Sequence, residues 1–249
     1  MLRAMSAATR AGGWFPPRRE LALALAFAAA ALLPALVLRG FTVDDALITA
    51  RYAAHIASGA GYRESVGGPV TDGVTPLGFA YLLAPFARGG PLAAFAAAKV
   101  LGIAAWTLAA SVVGLAVARG SRVDDEVSAD RPAPVGALWL IPLALIATSA
   151  PLAAWAAAGM ETGLVTALAA LAAALPLLDR PRAGIACAGL AAGFRPELLP
   201  WAATLGVGLF LSTRAAPARR SWVTAVLPFG PFLVAATVRH IVFGRPAPL

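Results

Sequence analysis

Long apolar runs alternate along the chain with short basic segments. Runs over residues 21–38, 91–118, 134–158, 162–178 and 222–238 approach or exceed the length needed to cross about 30 Å of hydrocarbon at about 1.5 Å per residue. They read as helical membrane spans. Two shorter runs, 183–194 and 198–212, read as helices meeting at a break, which a membrane tolerates where the backbone is buried in protein or lines a cavity. Residues 75–86 are shorter still and read as a re-entrant or interfacial segment. Alanine, glycine and the prolines Pro34, Pro142, Pro151 and Pro228 within the runs suit close packing and kinks. Lys99 interrupts the 91–118 run one third of the way along.

Composition sharpens this picture. Of 249 residues, 60% are hydrophobic and 13% charged, where soluble domains sit near half apolar and about a quarter charged. That balance excludes a disordered tail and a water-soluble globule. Cys187 is the only cysteine, so no disulfide or cysteine metal cage forms within the chain. The formal net charge is +8, and every basic residue except Lys99 and the two histidines is arginine. The arginines cluster between apolar runs, which fits the positive-inside bias of membrane topology better than a nucleic-acid footprint. Placing Arg3, Arg10, Arg18, Arg19, Arg119, Arg122, Arg131, Arg180, Arg182, Arg214, Arg219 and Arg220 on the cytoplasmic side accounts for 12 of the 20 Lys and Arg residues. The expectation is an all-α polytopic membrane protein with about seven transmembrane or half-membrane helices. It forms one membrane domain, 1–249: a cytoplasmic tail 1–20, a first outer loop 39–90 with short amphipathic helices, and a helical core 91–249.

The outer loop carries the most informative residues. Residues 44–58 have a helical pattern that stops at Gly59-Ala60-Gly61, with Leu47, Ala50 and Ala54 on the apolar side. At about 100° per residue, Asp44, Ile48, Arg51 and His55 share one face, and Asp45 points a quarter turn away. Thr42 and Asp45 also fit a capping box, a purely structural use of the second aspartate. Two adjacent desolvated carboxylates share a proton or a cation, and one can act as general base on a hydroxyl. Glu161 opens an apolar helix on the same outer side, and Arg195-Pro196-Glu197 occupies the break. Ionisable groups at membrane depth mark functional cavities, with a helix-terminal charge and a snorkelling pair as the plainer alternatives. If a metal takes part, it would be a hard ion such as Mg²⁺ or Mn²⁺ bound by Asp44, Asp45 or Glu161. Asp72-Gly73 reads as a turn and His240 as interfacial.

The string Val43-Asp44-Asp45-Ala46-Leu47-Ile48 through Arg51-Tyr52-Ala53, then Gly59-Ala60-Gly61-Tyr62 and Thr71-Asp72-Gly73-Val74-Thr75-Pro76-Leu77, resembles the first outer loop of GT-C class membrane glycosyltransferases. The pattern is most similar to the actinobacterial cell-wall arabinofuranosyltransferases. Gly159-Met160-Glu161-Thr162, Arg195-Pro196-Glu197 and Phe243-Gly244-Arg245-Pro246 resemble further segments of that group, in the same order. The resemblance implies an inverting sugar transfer from a polyprenyl-phosphate donor to a glycan or lipid acceptor, on the outer face of a bacterial plasma membrane. It implies Asp44 or Asp45 as the base, with Arg51, Tyr52, Asp72, Glu161, Arg195 and Glu197 binding donor phosphate or substrate. Arg51 or Arg195 would meet the phosphate. Family members continue with further spans past the position of Leu249 and carry an aromatic or Asn-rich stretch where residues 62–70 stand. The resemblance therefore covers the amino-terminal core, and donor recognition by later spans would fall to a partner. The alternative is a non-catalytic membrane subunit or transporter-like protein that binds a ligand at its broken helices.

Overall fold

A computed structural model describes residues 17–127, 139–212 and 222–246. Of the basic residues assigned to the cytoplasmic side, Arg3, Arg10, Arg131, Arg214, Arg219, Arg220 and the side chain of Arg122 lie outside the described residues. The described chain is helical, with no strands. Its elements are α1 (Arg18–Val37), α2 (Asp44–Ala57), α3 (Leu77–Leu83), α4 (Pro91–Val127), α5 (Leu140–Thr148), α6 (Ala150–Ala157), α7 (Thr162–Leu177), α8 (Pro181–Phe194), α9 (Leu199–Ser212), α10 (Trp222–Val226) and α11 (Gly230–Phe243). Short 3-10 turns extend α3 through Ala84–Gly89, precede α9 at Pro196–Leu198 and join α10 to α11 at Leu227–Phe229.

Among the described residues three helical stretches are long and apolar enough to cross a membrane: Arg18–Val37, Pro91–Gly120 and Trp222–Phe243. The chain is thus a membrane protein by the character of its helices. The 134–158 run, expected as one span, is two helices bent by 56°. Ser149 and Pro151 explain the bend. Ser149 accepts a hydrogen bond from the Leu152 amide and Pro151 sits in the first turn of α6, so the helix restarts there. Counting that pair as one span gives four among the described residues, and α7 and Pro196–Leu211 are shorter apolar helices. Residues 75–86 hold the short helix α3, which buries Leu77, Phe79, Ala80 and Leu83 and runs directly into its 3-10 turn.

Two polar contacts show that α1 and α4 run antiparallel. Glu20, at the start of α1, lies 3.7 Å from Arg119, far along α4. At the other end Lys99 Nζ donates to the carbonyls of Arg39 (2.8 Å) and Phe41 (2.7 Å), just past the end of α1. Lys99 breaks an apolar run because it meets backbone carbonyls of the turn that follows α1. Between these contacts, Phe27 and Ala31 pack on Trp106 and Ala110.

Packing against α6 and α7 depends on side chains that are missing. A Cβ on Gly102 would lie 2.3 Å from the Ala156 carbonyl oxygen, and one on Gly163 would lie 2.9 Å from Ala156 Cα. Helices in lipid gain stability from such close approach, since apolar burial alone does not favour contact with protein over contact with lipid. Gly102→Val should therefore cost about 1–3 kcal/mol or more of overpacking strain, read as a lowered unfolding midpoint in micelles. Gly208→Val, where nothing lies within 4 Å, should leave the midpoint near the native value.

These contacts gather five chain segments at one end of the bundle: the end of α1, the starts of α2 and α4, the α6–α7 junction and the α8–α9 break. Arg18, Arg19, Arg119, Arg180 and Arg182 belong to the opposite end. The α7–α8 hairpin turn lies 16 helical residues beyond Glu161, about 24 Å at the rise of an α-helix.

Candidate functional site

The aspartate pair starts α2. Val43 is the N-cap residue in extended conformation, and Asp44 and Asp45 occupy the first turn. No side chain caps this helix, and the Thr42 hydroxyl instead donates to the Gly40 carbonyl at 3.3 Å. The capping-box reading of Thr42 and Asp45 is thus overturned. The face that α2 buries is Ala46, Thr49, Ala50, Tyr52 and Ala53. Leu47, expected on the apolar side, is 40% exposed. Ala50 and Ala53 belong to a core with Ala94 and Ala98 of α4, and contact between such small residues brings two helices close while the bulkier Leu47 and Ile48 turn outward. Both aspartates stay exposed.

Glu161 reaches the same place from the α6–α7 junction. Gly159 has φ +84°, and a Cβ there would lie 2.6 Å from the Phe95 ring. Only glycine makes this left-handed turn against the ring. Glu161 follows as the N-cap residue of α7 but makes no capping bond. It is 1% exposed.

Arg195 comes from the break after α8. Its Nη2 lies 2.5 Å from Glu161 Oε1, and its Nη1 donates to Glu197 Oε1 at 3.2 Å. Nη2 also donates to the Thr162 hydroxyl at 3.4 Å. The Glu161 carboxylate is thus buried in an ion pair with the guanidinium. Burial alone would lower the proton affinity of the Arg195 guanidinium, but Glu161 and Glu197 offset it and raise that affinity above the usual arginine range.

Two adjoining cavities result. A small chamber of about 210 Å³ is lined by Asp45, Thr49, Glu161 and Arg195 together with residues 73–76. A larger, more open cavity of about 580 Å³ is lined by Asp44, Asp45, Trp155, Thr162, Arg195 and Glu197, among others. Asp45, Met160 and Arg195 line both. The lining groups are four carboxylates and one guanidinium, so the site favours hydroxyl donors and cations over free anions.

An apolar groove of about 590 Å³ runs beside the chamber, formed by Leu77, Gly78 and Tyr81 with residues of α8 and α11, including Phe194 and Val238. It meets the polar site at two peptide bonds. Leu77 follows Pro76 of the small chamber, and Phe194 precedes Arg195.

A buried clamp holds the loop between α2 and α3 in place. Arg239 of α11 is 2% exposed and donates from Nε to both carboxylate oxygens of Asp72, at 3.2 and 3.4 Å. Its Nη2 reaches the Val74 carbonyl (3.4 Å) and the Thr75 carbonyl. Tyr62 donates to the Val74 carbonyl at 3.2 Å, and the Tyr52 and Thr71 hydroxyls share a 2.8 Å hydrogen bond. Burial first, then the nearby Asp72 carboxylate, pushes the Tyr62 phenol far above its ordinary pKa, so it remains a neutral donor.

The structure therefore brings together Asp44, Asp45, Glu161, Arg195 and Glu197, and leaves other sequence candidates apart. Arg51 is exposed and lines neither cavity. Tyr52 is 1% exposed and its ring packs on Tyr62 at 4.7 Å. His55, expected on the face of Asp44, turns to the Arg63 carbonyl at 2.7 Å. Asp72 is taken up by Arg239. Among the described residues no three of His, Cys, Asp or Glu are grouped to hold a metal ion. Glu161 is turned into its contact with Arg195. Sequence reasoning missed Arg239, Thr49 and Trp155; an arginine at the end of an apolar run was the available signal for the first. No family model matches the chain, and neither curated proteins nor solved structures give a match.

Proposed function

We propose that the chain is a membrane glycosyltransferase that moves a sugar from a polyprenyl-phosphate donor to an acceptor hydroxyl, on the outer face of a bacterial plasma membrane. The observation carrying this reading is the apolar groove opening beside a chamber of carboxylates and one arginine. Such a juxtaposition suits an amphiphile with a long apolar chain and a reactive polar head. The basic residues at the opposite end of the bundle favour an outward position for the chamber under the positive-inside bias, with α7, α8 and α9 as half-membrane helices.

In this mechanism Asp45 is the base, because it alone of the aspartates fronts both cavities. Its carboxylate takes the acceptor proton as the acceptor oxygen bonds to the anomeric carbon. The bond from that carbon to the phosphate oxygen breaks, and polyprenyl phosphate departs from the opposite face. The configuration inverts. Arg195 supplies donors to the departing phosphate, while Glu161 and Glu197 hold its guanidinium in place.

The excess of carboxylates favours one other reading: a non-catalytic subunit that binds a hydroxylated ligand and transfers nothing. An assay of the chain in nanodiscs separates them. Radiolabelled polyprenyl-phosphate pentoses and hexoses, offered with a lipid or oligosaccharide acceptor panel, should yield labelled acceptor with release of polyprenyl phosphate. Ligand binding with no label transferred would establish the second reading and overturn the first.

A further inference from the structure

We propose that the larger cavity is a carbohydrate subsite in which a neutral sugar ring lies against Trp155, with its hydroxyls donating to Asp44 and Glu197. This deepens the transferase reading, on which it rests for the identity of the acceptor as a glycan. Trp155 is a large apolar side chain on α6 that remains 39% exposed, and it forms part of the cavity wall rather than the packed core. The Phe41 ring meets it at 5.9 Å and 80°, an edge-to-face contact that steadies the indole. The rest of the lining supplies acceptors at Asp44, Asp45 and Glu197, donors on Arg195, and the Thr162 hydroxyl. In the adjoining chamber the Glu161 carboxylate is buried in its ion pair with Arg195. A sugar ring matches this inventory: its axial C–H groups form an apolar face for an aromatic ring, and its rim carries hydroxyls that both donate and accept.

The volume of about 580 Å³ falls within the size of small-molecule sites. An organic ammonium ion fits less well. Cation recognition through aromatic rings uses a desolvated cage, whereas Glu197 is 58% exposed and Arg195 places a positive charge in the wall. A free phosphate meets three carboxylates there.

The test uses the full chain in phospholipid nanodiscs, without sugar-headed detergent, and a panel of methyl pentosides and methyl hexosides with choline as the cationic comparison. Saturation-transfer NMR should show contact with ring C–H protons of at least one glycoside. Trp155→Ala should weaken that binding about tenfold, the scale of losing one aromatic face, and Trp155→Phe should retain most of it. Binding of choline alone, no glycoside binding, or equal binding by Trp155→Ala would each overturn the subsite. Glycoside binding that depends on Trp155 in a chain that transfers no sugar would uphold the subsite and remove the transferase reading. Sugar transfer with an acceptor KM unchanged in Trp155→Ala would do the reverse.

Discussion

Asp45→Asn should slow sugar transfer by about 10²- to 10⁴-fold, the usual worth of a positioned general base, while protein yield and membrane insertion match the native chain. The carboxamide keeps the size of the carboxylate but does not take up the acceptor proton. The fold should not notice. The Asp45 side chain is exposed, makes no capping bond, and lends α2 only its carbonyl, which accepts from Thr49. Loss of its charge from the helix N-terminus costs about 0.3–1 kcal/mol at most. Asp44→Asn provides the internal comparison. Asp44 lines only the larger cavity, so its loss should raise the acceptor KM and leave kcat within about tenfold, the pattern of lost uniform binding. Initial rates with a labelled lipid donor, measured across acceptor concentration, separate the two variants. Native rates in Asp45→Asn would eliminate the assigned base.

Local signals carried most of the site. The start of α2, its stop at the glycines, the α8–α9 break and the turn before Glu161 all follow from residues close in sequence. Glu161, Arg195 and the aspartates met because each was a charge at the edge of an apolar run, where a buried or half-buried ion needs a partner. The misreadings concern partners that a linear pattern does not contain. Of the three residues read onto the apolar side of α2, Ala50 and Ala54 do face the core, but the bulkier Leu47 turns outward because alanines of α2 and α4 pack closely there. A capping box was legible at Thr42, but its hydroxyl is satisfied by the Gly40 carbonyl. The run at 134–158 had the length of a span, and the Ser149 cap divided it.

Arg239→Ala should destabilise the protein by about 3–5 kcal/mol, since it strands the Asp72 carboxylate without a counter-charge in a dry interior. The two side chains are 2% and 0% exposed and lie 167 positions apart in sequence, which is why no spacing rule pairs them. Attraction between the charges does not make this a strong net stabiliser, because desolvating both ions opposes it. Removing both charges should therefore be milder than removing one: Asp72→Asn with Arg239→Met should recover most of the lost stability in thermal unfolding of nanodisc samples. Function should not recover with it. Arg239 also donates to the carbonyls of Val74 and Thr75, residues that line the small chamber, and Leu77 of the groove follows within three positions. A methionine replaces the bulk of the guanidinium but none of its donors, so the Thr75 carbonyl loses this partner, the Val74 carbonyl keeps only Tyr62, and the wall between groove and chamber loosens. The double variant should fold, insert, and transfer sugar more slowly with a raised donor KM. If Arg239→Ala and the double variant unfold at the same temperature, the ion pair is not what secures the loop, and the aromatic packing of Tyr52 and Tyr62 must hold it instead.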